Sequence, residues 1–329
     1  MSDFRAFRID RQESKIVSGL TQMSLDELTP GDVLIKVEYS TVNYKDALAA
    51  TGRGQILRRF PLNGGIDLAG TVVESNNPEF SSGDNVLVTG SGLSEDLDGG
   101  YAEYARVPSE AVIPVPESLG LYESMQIGTA GFTAALAIHR MEQNGQTPDK
   151  GPIIVTGATG GVGSLAIDML SGRGYEVFAV TGKAEESDYL KSIGASKILI
   201  RQNIDFGKRP LEKAEWAGAI DNLGGEVLSW LLKTTGHTGN VASIGLAASH
   251  KLESTVLPFI LRGVCLLGIN SPDTYRDLRM IAWGRIGADL YPKNLNKIAT
   301  NTTTLEKLST VFDDFIEGRV VGRTVVKIN

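Results

Sequence analysis

A single cysteine, Cys265, occurs in 329 residues. One thiol excludes internal disulfides and any site built from several thiolates. Its neighbours Val264, Leu266 and Leu267 predict a buried, unreactive side chain, a usage that suits a reducing cytoplasm. Histidine is nearly as scarce. His139, His237 and His250 lie far apart in sequence and read as structural or surface residues. No apolar run approaches the roughly 20 residues of a membrane span. Met1-Ser2-Asp3-Phe4-Arg5 has no apolar stretch of the kind a secretory leader carries. Basic charge is in deficit: 32 Lys and Arg face 39 Asp and Glu, a net charge of −7. That balance speaks against nucleic acid as a partner but permits a local basic patch for an anionic ligand. Neither a membrane nor a nucleic acid is therefore expected as a partner.

The hydrophobic share is that of an ordinary globular chain, and the length suggests two domains. The first third is β-rich. Val33-Leu34-Ile35-Lys36-Val37-Glu38-Tyr39 alternates apolar and polar as a half-buried strand does. Thr71–Val73 and Asn85–Val88 read as further strands, with glycine turns at Gly31, Gly83 and Gly99-Gly100. The pattern predicts a small barrel-like β domain over 1–124. From about 125 the rhythm changes. A helix is expected from Tyr122 to His139, then strands at 152–156, 176–181, 197–200, 217–221, 239–244 and 264–269 with helical segments between them. Such alternation over 125–270 predicts a doubly wound parallel sheet, so the fold class is α/β. The tail, 271–329, has helical periodicity and ends in a short strand from Arg323 to Ile328; it is expected to rejoin the first domain. Val264–Gly268 predicts an apolar sheet edge suited to joining two copies.

Ile153-Ile154-Val155-Thr156 feeds Gly157-Ala158-Thr159-Gly160-Gly161-Val162-Gly163, and a helical pattern follows. This is the strand–turn–helix context of a dinucleotide-binding loop. Thr159, Gly160, Gly161 and Val162 are placed at a pyrophosphate, and Gly163 at the helix–strand contact. The helix N-terminus offers unpaired N–H groups to the phosphates. NAD-preferring loops end the second strand on an acid that binds the ribose hydroxyls. Here that strand ends Thr181-Gly182-Lys183. Thr181 and Lys183 suit a 2′-phosphate, and Arg201, ending the neighbouring strand, adds a bidentate donor. The cofactor is therefore expected to be NADPH. Ligands lie outside the carboxyl ends of parallel strands, which adds Asn222, Ser243, Ile244, Gly245 and Asn270. Thr129 and Thr133 are placed either at the nicotinamide or in helix packing.

Further blocks make the pattern specific: Asn43-Tyr44-Lys45-Asp46, Gly65-Ile66-Asp67-Leu68-Ala69-Gly70, Gly99-Gly100-Tyr101-Ala102-Glu103-Tyr104 and Gly128-Thr129-Ala130-Gly131-Phe132-Thr133. With the glycine loop they make the chain similar, nearly end to end, to the medium-chain dehydrogenases/reductases. The block Val42-Asn43-Tyr44-Lys45-Asp46 resembles the zinc-free quinone-oxidoreductase branch, and Thr51-Gly52-Arg53-Gly54, Phe60-Pro61, Gly65–Gly70 and Val155–Gly163 resemble, within it, the NADPH-dependent acrylyl-CoA reductases. The resemblance implies a GroES-like catalytic domain, a Rossmann domain and a homodimer joined along the sheet edge. Two departures stand out. Ala158 occupies the first glycine position of the loop, and Asn63-Gly64 stands where a proline often precedes the Gly-Ile-Asp block. Zinc enzymes of the superfamily take ligands from three of these blocks, where this chain has Asn43, Ile66 and Thr129. Catalytic zinc takes three Cys, His or carboxylate ligands, so the resemblance implies metal-free chemistry.

Without a Lewis acid, hydride transfer suits an activated C=C bond. Charge then moves onto the conjugated carbonyl oxygen, where hydrogen-bond donors hold it. Asn43 is the expected donor to that oxygen. Tyr44 is the nearby acid for the α-carbon, with solvent as the alternative. Lys45 either tunes Tyr44 or faces water, and Asp46 caps the following helix. Arg53, Arg58 and Arg59 form a basic stretch for CoA phosphates or a solvated loop. Asn270 and Arg323 are further candidates for the substrate. Three functions follow as expectations: reduction of acrylyl-CoA, reduction of a broader range of quinones or small enones, or non-catalytic NADPH sensing.

Overall fold

The tail strand of this chain runs back to the first third of the sequence, and that return shapes the fold. The structure is a computed structural model describing residues 3–329. The chain divides into two units. The first holds residues up to Thr129, then Ser271–Gly287 and Ala299–Asn329; the second holds Ala130–Asn270 and Ala288–Ile298.

The first unit begins with a hairpin of β1 (Phe4–Gln12) and β2 (Lys15–Met23). Glu13 and Ser14 turn it with φ of 46° and 69°, the positive values a two-residue hairpin loop demands. β3 (Val33–Val42) leads into α1 (Tyr44–Thr51), which ends at Gly52 in the left-handed conformation. β4 (Leu62–Asn63) pairs with β1, completing a three-stranded sheet. β5 (Asp67–Ser75), β6 (Asn85–Thr89), β7 (Tyr104–Val107) and β8 (Ile113–Pro114) join a larger sheet with β3. Val33, Ile35 and Val37 are wholly buried and Lys36 is exposed, as the alternation predicts. Each such buried aliphatic side chain stabilises the unit by about 1.5–3 kcal/mol.

α2 (Leu121–Gln143) is broken at Gly128, where φ is 51° and ψ −157°. The units divide immediately after that break, at Thr129, and not at residue 124. Helical periodicity runs through the glycine and conceals the interruption.

In the second unit β9 (Ile153–Thr156) is followed by α3 (Gly161–Gly172), β10 (Val177–Thr181) and α4 (Ser187–Ser192). β11 (Lys197–Ile200), β12 (Trp216–Asp221), α5 (Gly225–Thr234), β13 (Thr235–Ser243), α6 (Leu257–Arg262) and β14 (Cys265–Gly268) complete it. The six strands are all parallel, in the order β11-β10-β9-β12-β13-β14. This is the doubly wound order with its switch point beside β9. Because β14 is an edge strand, Cys265 is half-buried, not buried as its neighbours in sequence suggested.

The tail holds α7 (Arg276–Ile286), α8 (Leu295–Ile298), β15 (Asn301–Thr304), α9 (Leu308–Ile316) and β16 (Thr324–Lys327). Only part of it rejoins the first unit. The buried Asp168 carboxylate on α3 accepts from Asn294 N (3.0 Å) and Nδ2 (2.7 Å), which fastens the segment carrying α8 to the second unit. Beyond it, Phe312 of α9 packs on Phe7 at 5.7 Å between ring centres. β16 pairs antiparallel with β3, Thr324 opposite Val42, and this register sets Arg323 beside Asn43.

Candidate active site

The glycine loop lies in the second unit and a buried polar cluster in the first. In the second, β9 ends at Thr156 and the chain turns through Gly157 at φ 58° into Gly160, the N-cap of α3. A Cβ on Gly163 would collide with the Gly157 carbonyl, so only glycine lets α3 start this close to the strand. The first turn of α3 leaves its N–H groups without helical partners, beside the exposed Gly160. That cradle suits a pyrophosphate.

Neighbouring strand ends fit the rest of a dinucleotide. Thr181 Oγ1 accepts from Lys183 N at 2.9 Å, holding the turn after β10. Burial lowers the Lys183 pKa, and the charges of Glu186 and Glu185 oppose the shift. A Cβ built on Gly182 would lie 3.9 Å from Arg201 Nη2, so the guanidinium reaches the same turn as Lys183. Among the described residues Arg201 has no carboxylate partner. Asn222 is held inward: Nδ2 donates to Thr156 O (2.7 Å) and N to Thr156 Oγ1 (3.0 Å). Gly245 makes its close approach to the Asn222 carbonyl. Ile244 N donates to Asp221 O at 2.9 Å, placing Ser243 and Ile244 at the end of β13. Thr133 is buried within α2, and Asn270 is exposed after β14.

The first unit buries a polar cluster. Asp46 and Asn43 form a capping box at the start of α1. Asp46 Oδ2 accepts from Asn43 N at 2.8 Å and Oδ1 from Ile66 N at 2.9 Å. Asp67, first residue of β5, accepts from Asn43 Nδ2 (2.8 Å), from Thr129 N (3.0 Å) and from the Thr129 hydroxyl. Arg323 is 2 % exposed. It donates to Gln126 O, Val42 O, Asn43 Oδ1 and Thr41 Oγ1. Tyr101 donates to Thr41 O at 3.2 Å. Gly128 is required here. Its positive φ aside, a Cβ would lie 2.8 Å from Arg323 Nη2, Asp67 Oδ2 and Thr41 Cγ2.

Electrostatics follow from burial. Asp46 is pushed up to about 7, first by desolvation and then by the Asp67 charge, against hydrogen bonds from Asn43 and Ile66. Asp67 is also raised by burial, opposed by Thr129, Arg323 and Asn43. Burial raises Tyr101 and lowers Arg323. Two carboxylates around one guanidinium balance when the pair keeps one proton, and burial raises both carboxyls.

Several expectations change. Arg323, expected at the substrate, is buried with its donors directed at the first unit's interior. The Asn43 amide donates to Asp67 and, at 3.3 Å, to Asp46, where a substrate carbonyl was expected. Lys45 is half-buried and pairs with Glu95. Arg58 is neutralised by Glu95 at 3.3 Å and Asp96 at 2.7 Å, which removes it from the basic stretch. Arg53 and Arg59 stay exposed without carboxylate partners among the described residues, and Tyr44 is 51 % exposed. Asp67 and Tyr101 were quoted only as parts of motifs. An acid set in the apolar run Ile66–Ala69 was the signal that Asp67 is a buried charge.

Residues 29–117 match the model for an alcohol dehydrogenase GroES-like domain and residues 161–283 that for a zinc-binding dehydrogenase. The chain belongs to the medium-chain dehydrogenase/reductase family. Within it, the chain is 44% identical to the acrylyl-CoA reductase AcuI of Ruegeria pomeroyi, covering 99% of both. It is 45% identical to YhfP of Bacillus subtilis, named as a candidate quinone oxidoreductase, again over 99% of both. The yhdH oxidoreductase of Salmonella enterica, solved with NADP, superposes with a TM-score of 0.96 at 43% identity, covering 99% of this chain and 100% of that one. Bacillus subtilis yhfP was solved with NAD (TM-score 0.97, 45% identity, 100% of both chains). Among the described residues no group of three or more His, Cys, Asp or Glu is arranged to hold a metal ion.

Proposed function

We propose that the protein reduces the C=C bond of acrylyl-CoA to propionyl-CoA with NADPH. End-to-end identity with a named acrylyl-CoA reductase carries this reading. Bound NADPH supplies a hydride to the β-carbon, and a proton added to the α-carbon completes the saturated thioester. The protein's part is placement and charge. As electrons move onto the thioester oxygen, Asn43 turns one amide hydrogen to it, giving up the longer bond to Asp46 and keeping the one to Asp67. Tyr44, exposed beside Asn43, donates the proton. Changing Tyr44 to Phe is expected to lower kcat about 10²-fold or more. Turnover equal to the parent enzyme would assign the proton to solvent.

Lys183 and Arg201 support NADPH over NADH, because two cations at one strand edge suit a 2′-phosphate. With Lys183→Ala the KM for NADPH is expected to rise about 10–100-fold with NADH kinetics unmoved, the loss of one charge-assisted hydrogen bond. An unaltered NADPH KM in steady-state assays would refute the assignment.

The quinone or enone reading draws support from YhfP's name. Following NADPH absorbance in parallel with acrylyl-CoA, crotonyl-CoA and a quinone separates it from the first. Tight NADPH binding without oxidation by any of them would favour a sensor. A homodimer in the cytoplasm completes the reading. Leu246, Val256, Ile260 and Leu261, in the stretch of chain leading to the edge strand β14, are each more than half exposed, and exposed apolar side chains suit a second copy. No helix among the described residues is long and apolar enough to cross a membrane.

A further inference from the structure

A cleft of about 310 Å³ opens in the first unit between the β1–β2 turn and the loop after α1. Nothing in the reaction above uses it. Ile16, Ile56 and Leu57 give it an apolar floor. Arg11 lines it with its guanidinium 4.3 Å from the centre of the Phe60 ring, a flat cation–π platform. The Gln55 side chain lines it without a partner among the described residues. Arg53 lies between two lining glycines, Gly52 and Gly54, and Arg59 precedes Phe60.

Charge marks this loop. Arg58, in the same loop, is neutralised by Glu95 and Asp96. Arg11, Arg53 and Arg59 have no carboxylate partner among the described residues. Arg11 lines the cleft, and Arg53 and Arg59 adjoin lining residues in the chain; unneutralised guanidiniums so placed, in a chain of net charge −7, favour a multiply charged anion. An apolar floor beside a stacked arginine favours a flat aromatic base. The volume sits at the lower end of ligand pockets, roughly 300–1,000 Å³, enough for one end of a large ligand.

We propose that this cleft receives the 3′-phosphoadenosine end of a CoA thioester. The base lies on the Arg11–Phe60 platform and the phosphates meet Arg11, Arg53 and Arg59. The eight residues of α1 span about 12 Å. Asn43 and Tyr44 stand at its start, and the cleft takes Ala49 and Gly52 from its end. The flexible pantetheine arm bridges that interval. The assignment deepens the thioester reading given above and rests on it.

The test compares acrylyl-CoA with the N-acetylcysteamine thioester of acrylate, which has no nucleotide. Arg11→Ala is expected to raise the KM for acrylyl-CoA about tenfold or more and to leave the truncated thioester's KM in place. Activity on the truncated thioester reports that the variant is folded, and Arg11→Met, which keeps the side-chain stem over Phe60, provides a second variant. An equal rise with both thioesters, or no rise with either, overturns the proposal. Calorimetry with CoASH and 3′-dephospho-CoA reads the subsite without catalysis. Weaker binding of the dephospho form supports the proposal, and equal binding overturns it. CoASH binding that depends on Arg11, in a protein that turns over no acyl-CoA, upholds the subsite and overturns the reductase reading.

Discussion

Replacing Arg323 with methionine is expected to destabilise the protein by about 3–5 kcal/mol, a large part of the 5–15 kcal/mol that holds a typical domain folded. Arg323 donates to four oxygens inside the first unit, and its charge lies near two buried carboxylates. Methionine matches much of its length but leaves Asp67 buried without its guanidinium. Asn43 Oδ1 and Thr41 Oγ1 lose their donor, and the Asn43 amide is then held only through its bonds to Asp67 and Asp46. Thermal unfolding followed by circular dichroism should show a drop of roughly 10 °C or more in the transition that involves the first unit. Adding Asp67→Asn to Arg323→Met should recover part of the loss, because the uncompensated charge is then removed; neighbours in one network couple by about 0.5–3 kcal/mol. A single variant as stable as the parent protein would show that the guanidinium is not the counter-ion described above.

The second large effect is a pH dependence set by Asp46. Its folded pKa of about 7 lies above the ordinary carboxyl value. At low pH the group is protonated in both folded and unfolded chains and contributes no difference. As pH rises toward 7 the unfolded chain has lost the proton and the folded chain still holds it. Stability therefore falls with rising pH through that window, by at most about 1.4 kcal/mol per unit for one proton, and levels off above it. Asp67, Tyr101 and Arg323 face the same group, and Asp67 strengthens the shift. Asp46→Asn removes the titration. It also gives up one of the two backbone acceptances, from Asn43 N or Ile66 N, which costs about 1–3 kcal/mol. The variant should thus be clearly weaker than the parent at pH 5 and close the gap by pH 8. Parallel urea titrations at several pH values measure this, and a gap constant with pH would remove Asp46 as the proton carrier.

The cofactor half of the site was legible because its logic is local. Ile153–Thr156, Gly157–Gly163 and the helix after them form one continuous segment, and the collision a Cβ on Gly163 would make is with Gly157, a few residues away. Lys183 and Arg201 were expected from counting strand ends, and the structure brings both to one turn. The catalytic half was legible only in part. Asn43, Tyr44 and Asp46 stand together in sequence, and the capping role of Asp46 follows from its spacing to Asn43. Arg323 was recognised as a candidate but assigned to the wrong neighbour. Its partner Asn43 lies 280 positions away, and only the antiparallel register of β16 on β3 brings them together.

The same division explains the basic loop. Composition displayed Arg53, Arg58 and Arg59 as equals. Of the three, folding brings Glu95 and Asp96 against Arg58 alone, and it sets Arg11, from a distant hairpin, in a cleft lined by Gly52, Gly54 and Phe60, the neighbours in sequence of the other two. By itself the sequence determined the alternation of strands and helices, the dinucleotide loop and the family, since these depend on periodicity and on steric needs within short stretches. The tertiary structure alone decided which charges are buried, which are neutralised and which remain open to a ligand. Desolvation and pairing are properties of neighbours in space, and the chain order does not specify those neighbours.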